Sequence, residues 1–285
     1  MSILDEIIHN KERELSQRIT AYTAADIRQR AQETPPALDI LDHLRSDDVA
    51  VIAEVKKTSP SAGEITGDVD ITELAREYAD NGAAAISVLT DQKYFSGSIE
   101  DLRAVRDSVA LPVLRKDFII SPYQVFEARA AGADAILLIV AAMYESMLET
   151  MLNLTRDLGM TALVEVHTAD ELGCAISAGA RLVGINNRNL KTMEVSLETF
   201  EELAPRVPPE CVLVSESGIR HRADVERVAG AGADAVLVGT SLLRSNSPGE
   251  ALEKMTGVKA RGAMERRGEK VVRDGPPRAT GWALS

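Results

Sequence analysis

Cysteine is almost missing from this 285-residue chain, which has only Cys174 and Cys211. Two such distant residues make neither a disulfide framework nor a zinc-ligand spacing, so both are expected as reduced core thiols in a cytoplasm. Histidine is scarce as well. His9, His43, His167 and His221 are scattered over helix and loop positions, are expected to be solvated, and join no cysteine or carboxylate cluster that would hold a metal. No apolar run reaches the roughly 20 residues that span a bilayer, and residues 1–18 are too charged for a secretory signal. Positive charge is also in deficit. At a net −12, the surface would repel a nucleic-acid backbone. The expectation is a soluble cytoplasmic protein whose partner is neither membrane nor nucleic acid.

What the chain does have is 45% hydrophobic residues with few aromatics, ample for a core. Residues 2–18, with Ser2 as N-cap and apolar Ile3, Leu4, Ile7, Ile8 and Leu15, predict an amphipathic helix. Two short helical segments follow at 24–32 and 37–45, split by Pro35-Pro36. From Val49 onward strand and helix patterns alternate. The predicted strands are 49–56, 84–89, 111–116, 134–140, 160–166, 181–186, 211–216 and 234–239, with amphipathic segments between them. Eight such units indicate an α/β fold of the (β/α)8 TIM barrel type with an N-terminal helical extension, rather than an open sheet. An internal echo supports the repeat. Asn81-Gly82-Ala83, Ala131-Gly132-Ala133, Ala178-Gly179-Ala180 and Ala231-Gly232-Ala233 each follow a helix and precede a strand, where glycine supplies a left-handed helix stop.

Three stretches are therefore expected: a helical extension over 1–48, the barrel over 49–257, and a tail over 258–285. The tail holds seven Lys/Arg and three acidic residues, a balance of +4 against −16 for the remainder. It is rich in Gly and Pro, lacks periodicity, and contains the one tryptophan, Trp282. Disorder is the favoured expectation, and docking of the basic tail on the acidic body is its rival.

The strands carry the chemistry at their carboxyl ends. Val51–Lys56, Leu111–Lys116, Ala162–Glu165, Leu182–Asn186 and Val212–Glu216 each run from apolar to charged or amide residues. A buried charge is costly unless paired. Residues two apart share a face of a strand, so Glu54 and Lys56 point the same way, and Lys116, Glu165 and Glu216 each follow an apolar residue on their own face. On the outer face these groups would lie unpaired against apolar helices. At the mouth of a barrel Glu54, Lys56, Lys116, Glu165, Asn186 and Glu216 form a ring of acids and bases suited to proton transfer. Ion pairs that merely close the barrel end are the alternative. Ser217-Gly218 and Gly239-Thr240 occupy the two loops where such barrels bind phosphate. The loop Lys57–Gly63 adds hydroxyls and a cation, as expected of a lid over an anion.

Several segments together resemble a known family. Ile52–Ser61, Tyr94-Phe95-Ser96-Gly97-Ser98, Leu114-Arg115-Lys116-Asp117-Phe118-Ile119, Gly184-Ile185-Asn186-Asn187-Arg188-Asn189-Leu190 and Ser215-Glu216-Ser217-Gly218-Ile219 closely resemble indole-3-glycerol phosphate synthase. The resemblance runs over about residues 1–256 and departs only at the basic tail. It implies ring closure of 1-(2-carboxyphenylamino)-1-deoxyribulose 5-phosphate to indole-3-glycerol phosphate, with loss of carbon dioxide and water, in tryptophan biosynthesis. No metal or organic cofactor is implied. Lys116 matches the family's general acid and Glu165 its acid/base group for dehydration. Lys56, with Glu54 beside it, matches the cation holding the anionic substrate, and Asn186 and Glu216 match ligands of the sugar-chain hydroxyls. Ser59, Ser217, Gly218, Gly239 and Thr240 match the phosphate cradle. Phe95, Phe118, Leu137, Leu190 and Leu237 match the wall around the aromatic ring, and Arg188 a loop arginine near the substrate. Lys56 is further expected to loosen the proton of Lys116 by like-charge repulsion.

Two other functions compete with this one. An Amadori isomerase on the same kind of barrel would want a Cys/Asp or paired-Asp base at the strand ends, which is absent here. A catalytically silent phosphate-binding barrel would not need Lys116 and Glu165.

Overall fold

In the computed structural model, residues 3–59, 63–64, 70–189 and 192–269 are described. The apolar runs form strands β1 (Ala50–Val55), β2 (Ala85–Leu89), β3 (Val113–Lys116), β4 (Ala135–Ile139), β5 (Thr161–Val166), β6 (Leu182–Asn186), β7 (Val212–Glu216) and β8 (Ala235–Val238). All neighbours pair in parallel, and β1 bonds to both β2 and β8, which closes the sheet into a barrel. Each strand is fully or almost fully buried because helices cover its outer face while the other strands cover its inner one.

Three helices precede the barrel: α1 (Ile3–Ala21), α2 (Ala24–Glu33) and α3 (Ile40–Leu44). Thr23 starts α2 with a reciprocal capping box to Asp26, and Asp39 caps α3. Within the barrel follow α4 (Ile71–Asp80), α5 (Gln92–Phe95), α6 (Ile99–Ser108), α7 (Pro122–Ala130), α8 (Glu145–Asp157), α9 (Ala169–Ser177), α10 (Glu198–Leu203), α11 (Arg222–Ala231), α12 (Thr240–Leu243) and α13 (Pro248–Glu253). The four repeated glycines adopt the left-handed conformation expected of them, with φ of 94°, 89°, 88° and 112° at Gly82, Gly132, Gly179 and Gly232.

The inner layers set the position of the site. Ala50 and Ile52, Leu114, Ala135 and Leu137, Leu163, Leu182, Val212 and Val214, and Ala235 and Leu237 form one apolar cluster inside the barrel. Ile40, Leu41 and Leu44 of α3 belong to the same cluster, so α3 plugs the amino end of the barrel and leaves the carboxyl end for chemistry. The extension is tied on elsewhere too. Tyr123 of α7 packs with Leu15 and Ile27, and Lys11 of α1 is completely buried between Asp91 at 2.7 Å and Asp117 at 2.9 Å.

The start of the expected tail is folded. Residues 258–269 continue the structure, with a helix α14 (Arg261–Arg266) and buried Val258, Ala260 and Ala263 in the main core. Val49 N–H donates to Val258 C=O at 2.7 Å, Ala260 N–H to Asp47 C=O at 2.8 Å, and Lys259 pairs with Asp48 at 2.8 Å. Arg266 reaches the buried carboxylate of Asp234 at the start of β8 at 2.5 Å, and Arg267 pairs with the same carboxylate. The apolar residues are too widely spaced to show periodicity, and the basic residues find a desolvated partner that composition does not reveal. The rest of the expected tail, including Trp282, lies outside the described residues.

Candidate active site

The inward alternation that fills the barrel with Ile52, Leu114, Leu163 and Val214 brings Glu54, Lys116, Glu165 and Glu216 to its mouth two residues later. Asn186 ends β6 on the same face, and Lys56 follows β1. All six predicted groups meet there. Lys116 Nζ lies 3.6 Å from Glu216 Oε2, 3.9 Å from Glu54 Oε2 and 4.0 Å from Glu165 Oε2. Lys56 Nζ holds the other oxygen of Glu54 at 2.5 Å, and Asn186 Nδ2 donates to Glu165 Oε1 at 3.0 Å.

Two glycines make room for these carboxylates. A Cβ on Gly184 would stand 2.0 Å from Glu216 Oε1, and one on Gly239 would stand 2.4 Å from Glu54 Oε1. Gly239 was expected to serve the phosphate alone. Gly184 carries no expected role, although a glycine in the middle of a strand is itself a sign of close approach.

The electrostatics correct one expectation. Burial alone would lower the Lys116 pKa, but Glu216, Glu165 and Glu54 outweigh it and hold the ammonium above the ordinary lysine range. Lys56 does not loosen that proton, because its charge is spent on Glu54. Glu54 is held below the usual carboxylate range: its burial opposes ionisation, and the charges of Lys56 and Lys116 overcome it. Glu216 goes the other way. Burial pushes its carboxyl up to about 8, helped by the charge of Glu165 against the opposing pull of Lys116. The mouth thus holds a persistent cation, an ionised carboxylate and a carboxyl that is largely protonated at neutral pH, a set able to give and accept protons.

Around this centre, Ser217 and Gly218 follow β7 with φ of 64° and 89°, and Gly239 precedes the short helix α12 that begins at Thr240. Ser241 Oγ donates to Ile219 C=O at 2.9 Å and ties the two turns together. Ser59 stands in a two-residue antiparallel ladder opposite Gly63. The loop cation Lys57 is engaged by Asp101 at 2.8 Å on the outer helix α6 rather than in the mouth. Phe95 and Phe118 lie with ring centroids 6.4 Å apart at an interplanar angle of 31°, and Phe118 packs on the inner cluster that contains Leu137 and Leu237. Arg188 donates its backbone N–H to Asn186 Oδ1 at 3.0 Å, and its guanidinium turns to Met193 C=O within its own loop. Leu190 lies outside the described residues.

His167 departs from the expectation of a solvated ring. It is half-buried two residues past Glu165, with Nδ1 2.6 Å from the Asn186 carbonyl. A carbonyl only accepts, so Nδ1 carries the proton. Sequence reasoning also missed the ion network behind Lys116. Fully buried Arg115 donates to Asp117 at 3.0 Å and Glu127 at 2.7 Å, and Lys11 completes the cage around Asp117, the residue after Lys116. Burial resists ionisation of Asp117, yet Arg115 and Lys11 hold it well below the ordinary carboxylate range.

The family model for indole-3-glycerol phosphate synthase matches residues 4–255. The indole-3-glycerol phosphate synthase of Mycolicibacterium gilvum is 50% identical over 251 residues, covering 88% of this chain and 92% of that protein. Those of Saccharopolyspora erythraea and Rhodococcus opacus are 49% and 48% identical, covering 90% and 91% of this chain and 95% and 97% of theirs. Among solved structures, thiamine phosphate pyrophosphorylase from Pyrococcus furiosus shares the fold with a TM-score of 0.56. At 18% identity it covers 76% of this chain and 96% of its own.

Proposed function

Because the chain belongs to the indole-3-glycerol phosphate synthase family, we propose that the mouth groups around Lys116 carry out the family's ring closure. The chain is a carboxy-lyase of tryptophan biosynthesis that acts on a phosphorylated small molecule. Its substrate, 1-(2-carboxyphenylamino)-1-deoxyribulose 5-phosphate, closes to indole-3-glycerol phosphate and releases carbon dioxide and water.

The observation that carries the assignment of roles is Lys116 Nζ within 4.0 Å of carboxyl groups from three different strands. Lys116 presents its ammonium to the substrate carbonyl, stabilising the oxygen as negative charge grows there and then protonating it. An arriving anionic substrate engages Lys56 and offers its hydroxyls to Glu216. Glu165, with one oxygen fixed by Asn186 and the other toward Lys116, moves the protons of dehydration. Glu54 keeps Lys56 aimed at the substrate carboxylate. Ser59, Ser217, Gly218, Gly239 and Thr240 take the phosphate. Phe95, Phe118, Leu137, Leu190 and Leu237 wall the aromatic ring, and Arg188 guards the loop beside it.

A cytoplasmic setting is supported by the biosynthetic role and by two unpaired thiols, Cys174 and Cys211. Among the described residues no helix is long and apolar enough to cross a membrane. Fluorescence-monitored turnover of the carboxyphenylamino substrate by the purified chain tests the reading. Indole-3-glycerol phosphate formation is expected, and a folded chain that forms none refutes it.

A further inference from the structure

Asn187 is 1% exposed, and it points away from the mouth, opposite to its neighbour Asn186. Phe200 N–H of α10 donates to its Oδ1 at 3.1 Å. That bond fixes the orientation of the amide, because only the oxygen accepts. Nδ2 therefore faces three acceptors on consecutive residues: Ser215 Oγ, Glu216 C=O and Ser217 C=O, each at 3.0 Å. The backbone N–H of Asn187 donates to the same Glu216 carbonyl at 2.9 Å.

These three residues contain the carboxyl beside Lys116 and the first half of the turn after β7. Ser217 holds φ at 64°, a region that a residue with a Cβ adopts only when its surroundings enforce it. The bond from Nδ2 to the Ser217 carbonyl is such a constraint. Across a trans peptide C=O and N–H point in opposite directions, so drawing Ser217 C=O toward Asn187 turns Gly218 N–H away from it. The same loop supports the turn from beneath. A Cβ on Gly218 would stand 2.9 Å from Val195 Cγ1 and 3.1 Å from Leu197 Cδ2.

We propose that Asn187 is a positioning residue for the reaction: its amide sets both the aim of Glu216 and the orientation of the Gly218 N–H toward the substrate phosphate. The inference rests on the family reading, which places the phosphate at the Ser217-Gly218 turn. It adds a residue that touches no substrate yet governs two groups that do.

The test uses the full chain, with inorganic phosphate as the probe of the anion site and the carboxyphenylamino substrate for kinetics. Asn187→Asp keeps the acceptor for Phe200 but replaces both donors with an oxygen facing three others. KM and the inhibition constant of inorganic phosphate are expected to rise at least about tenfold, as for buried acceptors left unsatisfied. The kcat value falls as well, because Glu216 is freed. Asn187→Ser, with a single donor, is expected to show a smaller rise in the same constants. It carries the test alone if the Asp variant does not fold. Folded variants with wild-type phosphate inhibition and KM, and only a lowered Tm, overturn the proposal by reducing Asn187 to a structural role. Absence of both turnover and phosphate binding in the wild-type chain would refute the family reading instead, before any variant is measured.

Discussion

Glu216 Oε2 lies 3.6 Å from Lys116 Nζ, yet the carboxyl of Glu216 is pushed up to about 8. Burial and the neighbouring Glu165 outweigh the attraction of the lysine. One strong cation thus faces several buried carboxyls, and the most buried of them keeps its proton near neutrality.

This relationship gives a sign to the pH dependence of stability. An ordinary carboxyl titrates at about 4.3, so between there and about 8 the folded chain holds a proton on Glu216 that the unfolded chain has released. The unfolded state binds fewer protons in that window, so stability falls as pH rises through it. Glu216→Gln removes the effect and keeps the shape. The Tm of the wild type is expected to drop relative to that of Glu216→Gln as pH is raised from about 5 to about 8. Parallel Tm curves for the two proteins across this range would remove the raised pKa.

Lys11 is a second place where charge decides stability. It is completely buried between Asp91 and Asp117. Lys11→Met leaves both carboxylates without that partner, and an uncompensated buried charge costs about 3–5 kcal/mol. Urea unfolding should show a loss of this size. Because Asp117 adjoins Lys116, kcat is expected to fall along with stability. A variant with unchanged midpoint and turnover would mean that the network does not hold β3 in place.

The carboxyl-terminal segment is expected to matter more than its composition implies. A chain stopped after Gly257 loses the Val258 and Ala260 backbone bonds and strips Asp234 of Arg266 and Arg267. Its melting temperature is expected to fall by several degrees, at about 2–4 °C per kcal/mol for a chain of this size. A chain stopped after Glu269 keeps every one of these bonds and is expected to melt like the full chain. Equal melting of all three lengths would show that the segment contributes nothing.

Much of this was legible because strand patterns obey a simple parity. The alternation that buries Ile52, Leu114, Leu163 and Val214 places Glu54, Lys116, Glu165 and Glu216 on the inner face whatever the rest of the chain does. The strands ended within two residues of their predicted bounds for the same reason. Other features depend on contacts between distant segments, and no local pattern carries them. The need for glycine at 184 arises because Glu216 arrives from one neighbouring strand and Leu163 crowds it from the other. The direction of the Lys116 shift depends on three carboxylates from three strands. The folding of residues 258–269 depends on Asp234 waiting at the amino end of β8. The partners of His167 and Asn187 likewise lie across strand boundaries.

Lys116 is the centre of the proposed chemistry. Its ammonium faces the carboxyl groups of three strands in the barrel mouth, while the phosphate is proposed to bind at the turns after β7 and β8. The most direct measurement is steady-state turnover of Lys116→Met by indole fluorescence, with inorganic phosphate inhibition measured alongside. The variant is expected to fold and to keep the wild-type inhibition constant for phosphate, while kcat falls at least about 10²-fold, as expected for a lost general acid. A folded Lys116→Met chain that turns over substrate at a rate near wild type would contradict the assignment of the chemistry to this lysine.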